Sequence, residues 1–415
     1  MLALEVVALI ALVFWVVLLL DRRRRWPTDV VLPLNVEELT EDSSGVLAIV
    51  PARNEAEVLP TTLPSLLQQE VSRFRVVLVD DGSTDGTAQL ASRLAKQLDV
   101  AEKLTIVEAG PRMEGWSGKV HAQLSGYVTV VEEAAEEGAE LPDWLLLTDA
   151  DIRHRPDSVR SLLLQAQGAA GERGYDLVSV MARLRATTIW ERLIVPAFVF
   201  FFQLLYPFRR VADPRSRIAA AAGGCVLIRR TAFEEAGGFA EIGGEIIDDV
   251  ALGRAVKRRG GAVWLGFDTG VESVRPYDDL GELWRMVSRT AFTQLWYRWD
   301  LLLATLVGLG VLLVSPPVVA LASLIGILTR EGGDPGSLVR ALIWSLLTWG
   351  MMAAEYLPAV RHHRVPLVYA AALPFSSLLF GLMTISSAKD YLLGKGPSWR
   401  GRSYGSSRMP PSSPP

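Results

Sequence analysis

The chain has 415 residues, 50% of them hydrophobic and 21% charged, with a formal net charge of −4 at pH 7 and a mean hydropathy of +0.26. That apolar excess excludes intrinsic disorder, the charge gives no overall pull toward nucleic acid, and the length suits roughly two to three domains. The single cysteine, Cys225, excludes a disulfide framework and a cysteine-based zinc site, and His121, His154, His362 and His363 form no H-E-x-x-H pattern.

Residues 1–25 read as an N-terminal transmembrane anchor with a basic flank. Leu2 to Leu20 carries one charge, Glu5, and a bilayer crossing takes about 20 apolar residues. Arg22-Arg23-Arg24-Arg25 follows it. A secretory signal peptide has its basic region first, so the order predicts an uncleaved anchor. The positive-inside rule then places the N-terminus outside and the following chain in the cytoplasm.

Residues 45–300 have the composition of an α/β domain. Val46–Val50, Val76–Val79, Leu104–Val107, Trp144–Leu147 and Leu177–Val180 read as buried strands. Glu57–Gln69 and Asp85–Leu98 between them have helical spacing of apolar residues. The alternation predicts a doubly wound, mostly parallel sheet with its ligands at the carboxyl ends of the strands.

Polar segments recur at those ends. Pro51-Ala52-Arg53-Asn54-Glu55 follows the first strand, Asp80-Asp81-Gly82-Ser83-Thr84-Asp85-Gly86-Thr87 the second, and Asp149-Ala150-Asp151 the fourth. Two carboxylates on one turn suit a hard cation such as Mg²⁺ or Mn²⁺ that shares its oxygen ligands with a phosphate. Taken alone, either acidic segment is better explained by helix capping or an Asx turn. No G-x-G-x-x-G or P-loop accompanies a strand, which removes the support for hydride transfer and Walker-type hydrolysis.

Further along, residues 189–210 enclose the uncharged, aromatic-rich run from Leu193 to Phe208. It lies between Asp151 and Asp249, so a single crossing there divides one acidic site across the membrane. The run is therefore expected in the membrane interface. Residues 301–390 form a C-terminal membrane region with apolar blocks at Leu301–Leu328, Ala341–Val360 and Val365–Ala388. Pro316-Pro317 interrupts the first block. A re-entrant hairpin there keeps Lys389, Lys395, Arg400, Arg402 and Arg408 on the cytoplasmic side, as the charge rule prefers. The Ser-, Pro- and Gly-rich tail, 391–415, reads as disordered.

Taken together and in order, PARNE (Pro51 to Glu55), DDGSTDGT (Asp80 to Thr87), Asp149-Ala150-Asp151 and Ile247-Asp248-Asp249 resemble the glycosyltransferase family 2 pattern, over about residues 45–300. The resemblance implies a GT-A fold and transfer of a sugar from a nucleoside-diphosphate donor. It implies that Pro51, Arg53, Asn54, Glu55, Asp80 and Asp81 cradle the nucleotide, and that Asp149 and Asp151 hold Mg²⁺ or Mn²⁺. It makes Asp249, with Asp248 beside it, the catalytic base. Gly115-Trp116-Ser117-Gly118-Lys119 and Ala221-Ala222-Gly223-Gly224-Cys225 look like the hopene-associated, membrane-bound members. These imply a lipid acceptor in a hopanoid or related isoprenoid pathway. Lys119 is then expected to face the diphosphate, Gly223 and Gly224 to let backbone approach a sugar, and Arg289 to neutralise the leaving group.

The expected partners are a nucleotide sugar, a lipid and the membrane, with no nucleic acid. The expected location is the inner (cytoplasmic) membrane, multi-pass, with the catalytic domain cytoplasmic. One base and one metal suffice for a single inverting displacement. A processive polysaccharide synthase of this family carries Q-x-x-R-W, whereas Met286 to Thr290 keeps only the Arg. A non-catalytic nucleotide-sugar-binding scaffold has no need of Asp149, Asp151 and Asp249 together.

Overall fold

Runs of Val, Leu and Ile favour strands because branched side chains pack well on a pleated surface. All five strands expected from the sequence are present in the computed structural model, which describes residues 2–21, 30–32, 45–168, 174–330, 334–395, 398–399 and 402–403. The basic run 22–25 and most of the tail lie outside the described residues.

After helix α1 (Leu2–Leu20), the central domain begins with β1 (Val46–Ala52), α2 (Leu59–Leu67), β2 (Phe74–Asp80), α3 (Thr87–Gln97) and β3 (Leu104–Glu108). It continues with α4 (Gly118–Glu137), β4 (Trp144–Thr148), β5 (Ile152–His154), α5 (Ser158–Gln167) and β6 (Leu177–Leu184). Then come α6 (Ile189–Leu205), α7 (Phe208–Ala212), β7 (Cys225–Arg229), α8 (Arg230–Glu235), α9 (Gly238–Ile242), α10 (Asp248–Arg258), β8 (Val263–Ser273) and α11 (Leu280–Ala291).

Among the described residues these strands form one eight-stranded sheet in the order β3-β2-β1-β4-β7-β6-β8-β5. β1 pairs in parallel with β2 and β4, β2 with β3, and β6 with β8. Only β7 and the edge strand β5 run the other way. The doubly wound, mostly parallel architecture is therefore present, and the ends of β1, β2 and β4 open on one edge.

Alternate residues of β1 and β2 serve two cores, as period-2 geometry requires. Leu47, Ile49, Val77 and Val79 face one side, where Val120 and Val130 of α4 cover them. Val46, Ala48, Val76 and Leu78 face the other, against Leu59 and Leu63 of α2 and Ala91 of α3. Gly126 sets the depth of α4, because a Cβ there meets Val79 Cγ2 at 2.5 Å. The domain also reaches outside 45–300: Leu32 N donates to Phe267 O at 3.0 Å, and Phe267 N to Val30 O at 2.8 Å.

The run expected in the interface is helix α6. Thr188 caps it and Glu191 returns the capping box. Glu191 is fully buried; Oε2 accepts from Thr187 N at 2.7 Å and Thr188 N at 2.8 Å, and Oε1 from Tyr277 N at 3.0 Å. Burial alone raises its pKa, but these bonds outweigh that and hold the carboxyl below its ordinary range. A Glu191→Gln variant turns an amide NH₂ toward one of these donors. We expect it to destabilise the fold by about 1–3 kcal/mol, read as a lower melting temperature than wild type at neutral pH.

The membrane region consists of α12 (Trp299–Gly308), a π-helical turn (Leu309–Val314), α13 (Ser315–Thr329), α14 (Pro335–His362), a 3₁₀ segment (Leu367–Ala372) and α15 (Leu373–Leu392). With α1 these give four stretches long and apolar enough to cross a membrane, among the described residues. The hairpin expected at Pro316-Pro317 does not form: Trp299–Thr329 is one continuous helical run. Two prolines remove two backbone donors, and they are accommodated at the start of α13. The π turn lets Ser315 N bond Gly310 O, a register suited to an interrupted ladder. The Leu312 carbonyl, which Pro316 cannot serve, accepts Trp15 Nε1 of α1 at 2.8 Å. Within the tail expected to be disordered, Ser398–Trp399 pairs with Arg402–Ser403.

Candidate active site

The two loops after β1 and β2 knit to each other. Asn54, with φ of 53°, donates its N–H to Ser83 Oγ at 3.0 Å and accepts Thr84 N on Oδ1 at 2.8 Å. Glu55 N donates to Thr87 Oγ1 at 2.9 Å. Asp80 turns back on Ser83 N at 2.9 Å, an Asx turn. Arg53 bonds the Asp81 and Gly82 carbonyls and lies 3.8 Å from Asp81 Oδ2.

These loops form one rim of a cavity of about 3400 Å³. Pro51, Asn54, Glu55, Lys119, Asp149, Asp151, Gly223, Gly224, Asp248, Asp249 and Arg289 all line it. Arg53, Asp80 and Asp81 are not among its lining residues, and Asp80 and Asp81 are buried.

Asp149 and Asp151 emerge at the end of β4, and each meets a cation of this chain. Lys119 Nζ lies 2.9 Å from Asp149 Oδ1 and 3.4 Å from Asp248 Oδ2, and donates to Gly223 O at 3.3 Å. Ser117 fixes Lys119 in the first turn of α4 by accepting Val120 N at 3.1 Å. Burial disfavours the ammonium, but Asp149, Asp248 and Asp249 outweigh it and raise its pKa, so Lys119 is charged.

Asp151 Oδ2 accepts from Ser273 Oγ at 2.7 Å and Arg275 Nε at 3.0 Å. The same guanidinium holds both oxygens of Glu55, at 2.9 and 3.0 Å. Sequence reading missed Ser273 and Arg275. Their only signal is a polar Ser-Val-Arg at the end of β8, and their partners lie 122 and more residues away.

Asp248 and Asp249 open α10, where the helix N-terminus favours negative charge. Asp249 Oδ2 accepts Gly223 N at 2.6 Å and Oδ1 accepts Val250 N at 2.8 Å. Burial, and then the charge of Asp248, push its carboxyl up to about 6 against the opposing pull of Lys119 and the two N–H bonds. Gly223 makes this approach possible: a Cβ there meets both Asp249 Oδ2 and Lys119 Nζ at 3.1 Å.

Among the described residues, no group of three or more His, Cys, Asp or Glu is placed to hold a metal ion. Two hard oxygen donors on one turn nevertheless suit a divalent ion that takes its remaining ligands from phosphate and water. The ammonium held among three carboxylates shows that the cluster already requires positive charge.

Part of the cavity lining is apolar. Phe198, Phe201 and Phe202 of α6, Leu309 and Leu312 of the π turn, and Phe380 of α15 line it. One space therefore joins the acidic cluster to the membrane helices.

Residues 47–237 match the model of a family described as glycosyl transferase family 2. The sequence is 28% identical over 229 residues to the 4,4'-diaponeurosporenoate glycosyltransferase of Staphylococcus aureus (strain USA300), covering 54% of each chain. The chain thus spans about half the length of the curated relatives it matches. The mannosyltransferase PcManGT from Pyrobaculum calidifontis, solved in complex with GDP-Man and Mn²⁺, shares the fold with a TM-score of 0.50. The two are 17% identical, and the superposition covers 94% of this chain and 99% of that one.

Proposed function

We propose, for a chain whose residues 47–237 are a family 2 glycosyltransferase domain, that it moves one sugar from a nucleoside-diphosphate donor to the hydroxyl of a membrane lipid, with inversion. The observation that carries this reading is the single cavity with an acidic end and an apolar, membrane-side wall. A soluble acceptor has no need of such a wall. The S. aureus relative, named for a glycosyltransferase of diaponeurosporenoate, supports a lipid-like acceptor. The hopene-type segments around Lys119 and Gly223 narrow our reading to a hopanoid or related isoprenoid lipid.

Asp149 and Asp151 are the residues that would hold Mg²⁺ or Mn²⁺, which supplies Lewis-acid stabilisation of the departing diphosphate. Lys119 already lies against Asp149 and adds a point charge for the same phosphates. Arg289, exposed on the cavity side of α11, adds a second. The Arg53–Asp81 pair shapes the loop that receives the nucleoside. Asp249 accepts the acceptor hydroxyl's proton as the new bond forms, which needs its carboxylate form. The expected location is the cytoplasmic side of the inner membrane, where nucleotide sugars are made.

Incubation of the purified protein in vesicles containing isoprenoid alcohols with radiolabelled donors tests this. We expect label to enter the organic phase as a lipid bearing one sugar of inverted anomeric configuration, and chelation by EDTA to stop it. A ladder of sugars would restore the polysaccharide synthase. Donor binding with no lipid product would leave the scaffold.

A further inference from the structure

Length and composition allow α15 to cross the bilayer, since its 20 residues span about 30 Å at 1.5 Å each. Its packing says otherwise. Ser376 Oγ bonds Leu193 O of α6 at 2.8 Å. One turn on, the Phe380 ring lies 4.9 Å from Phe201. Near the other end Phe292 N donates to Ser387 Oγ at 3.1 Å, and the Tyr391 ring stacks 4.6 Å from Tyr297. From Ser376 to Tyr391, therefore, α15 lies along α6 and the segment that follows α11.

Helix α6 cannot cross, because it leaves β6 and returns through α7 to the same sheet. A helix laid along it has both ends on the side of the central domain. α15 also touches the crossing helices: a Cβ at Gly381 meets Leu306 at 3.6 Å and Leu309 at 3.7 Å, and Leu379, Phe380 and Met383 share a core with Trp15, Leu313 and Tyr356. α1, α13 and α14 meet in a separate cluster of Leu4, Val7, Ala8, Val319, Ala341 and Trp344, to which α15 contributes nothing. Glu5 and Arg340 pair there at 2.6 Å. The other end of α14 returns to the domain, where the His362 ring lies 4.5 Å from Phe267 of β8.

The outer face of α15 fits a lipid surface. Phe375, Leu378, Leu382, Ile385 and Leu392 are exposed at helical spacing, while Leu379, Phe380 and Met383 are buried on the opposite side. We propose that α15 is a membrane-surface helix whose apolar stripe rests on the headgroup and acyl boundary. Among the described residues the chain then crosses the bilayer three times, and Lys395 lies on the catalytic side. Arg361, Arg364, Lys389 and Lys395 share that side, as the positive-inside rule prefers. For Lys389 and Lys395 this is the sidedness expected from a hairpin at Pro316-Pro317, but Arg361 and Arg364, which that hairpin puts outside, lie inside. The proposal rests on packing alone and is independent of the catalytic reading.

Single cysteines at Glu102, Asp334 and Lys395 test it, with the native Cys225 buried and silent. A membrane-impermeant maleimide is applied to sealed vesicles of each orientation, and detergent-opened vesicles give full labelling. We expect Lys395→Cys to label with Glu102→Cys from one side and Asp334→Cys from the other. Ser407→Cys, further along the tail, should follow Lys395→Cys and serves if that variant fails to fold. Labelling of either tail cysteine together with Asp334→Cys would overturn the proposal.

Discussion

An Asp249→Asn variant is expected to lose about 10²- to 10⁴-fold in transfer rate, the usual contribution of a positioned general base, while binding the donor almost as wild type does. The expectation follows from where the carboxylate is held. It opens α10 beside the Lys119 ammonium that also meets Asp149, and is anchored by Gly223 N and Val250 N. Its carboxyl titrates at about 6, and a base works only when deprotonated. Thus kcat/KM should rise with pH through about 6 and level off above it. Asp248 supplies a shape-matched control. Its negative charge is the second cause, after burial, of the raised value. Asp248→Asn removes that repulsion, favours the ionised form of Asp249, and should shift the acidic limb to lower pH while retaining turnover. If Asp248→Asn abolished the acidic limb and Asp249→Asn kept it, the two roles would be reversed.

Asp151→Asn is expected to abolish transfer by a different route, through loss of metal-dependent donor affinity. Its Oδ2 is already shared by Ser273 and Arg275, which fix the direction in which the carboxylate faces the cavity. The variant also leaves Arg275 with Glu55 alone. Breaking a buried charge pair by removing one partner costs about 3–5 kcal/mol when the other is left uncompensated; Glu55 limits that loss here. Calorimetry with a nucleoside diphosphate, with and without Mn²⁺, separates the effects. We expect the Mn²⁺-dependent gain in affinity to vanish while metal-free binding persists. An undiminished Mn²⁺ effect with normal turnover contradicts the assignment. Lys119 bears on the same measurement, because its ammonium already occupies Asp149 and an entering ion must share that carboxylate.

Local signals carried most of the central domain. Each expected strand is a mainly apolar run, broken only by Thr105 in β3 and Ser179 in β6, and β3, expected to be buried, is half-buried because it is an edge strand. The motifs at the strand ends were legible for the same reason, since topology alone brings such ends to one edge. What stayed hidden depends on long-range pairing. Arg275 joins Glu55 to Asp151 across 220 and 124 residues, and nothing in its own neighbourhood marks it. That Arg53 reaches the Asp81 and Gly82 carbonyls emerges only once their loops are seen to bond one another. Pro316-Pro317 misled for a physical reason: proline breaks a helix only when the freed carbonyls go unserved, and Trp15 from a distant helix serves one of them. The aromatic run around Phe200 was expected at an interface, and its helix is mostly buried because the apolar helices of the C-terminal region cover it.

The lipid extract of cells lacking this gene, compared by mass spectrometry with that of cells carrying it, tests the central claim most directly. Transfer of one sugar to a membrane lipid predicts that one glycolipid disappears while its sugar-free form accumulates. Wild-type protein should restore it, and Asp249→Asn should not. An unchanged set of glycolipids accompanied by loss of a polysaccharide would contradict the account.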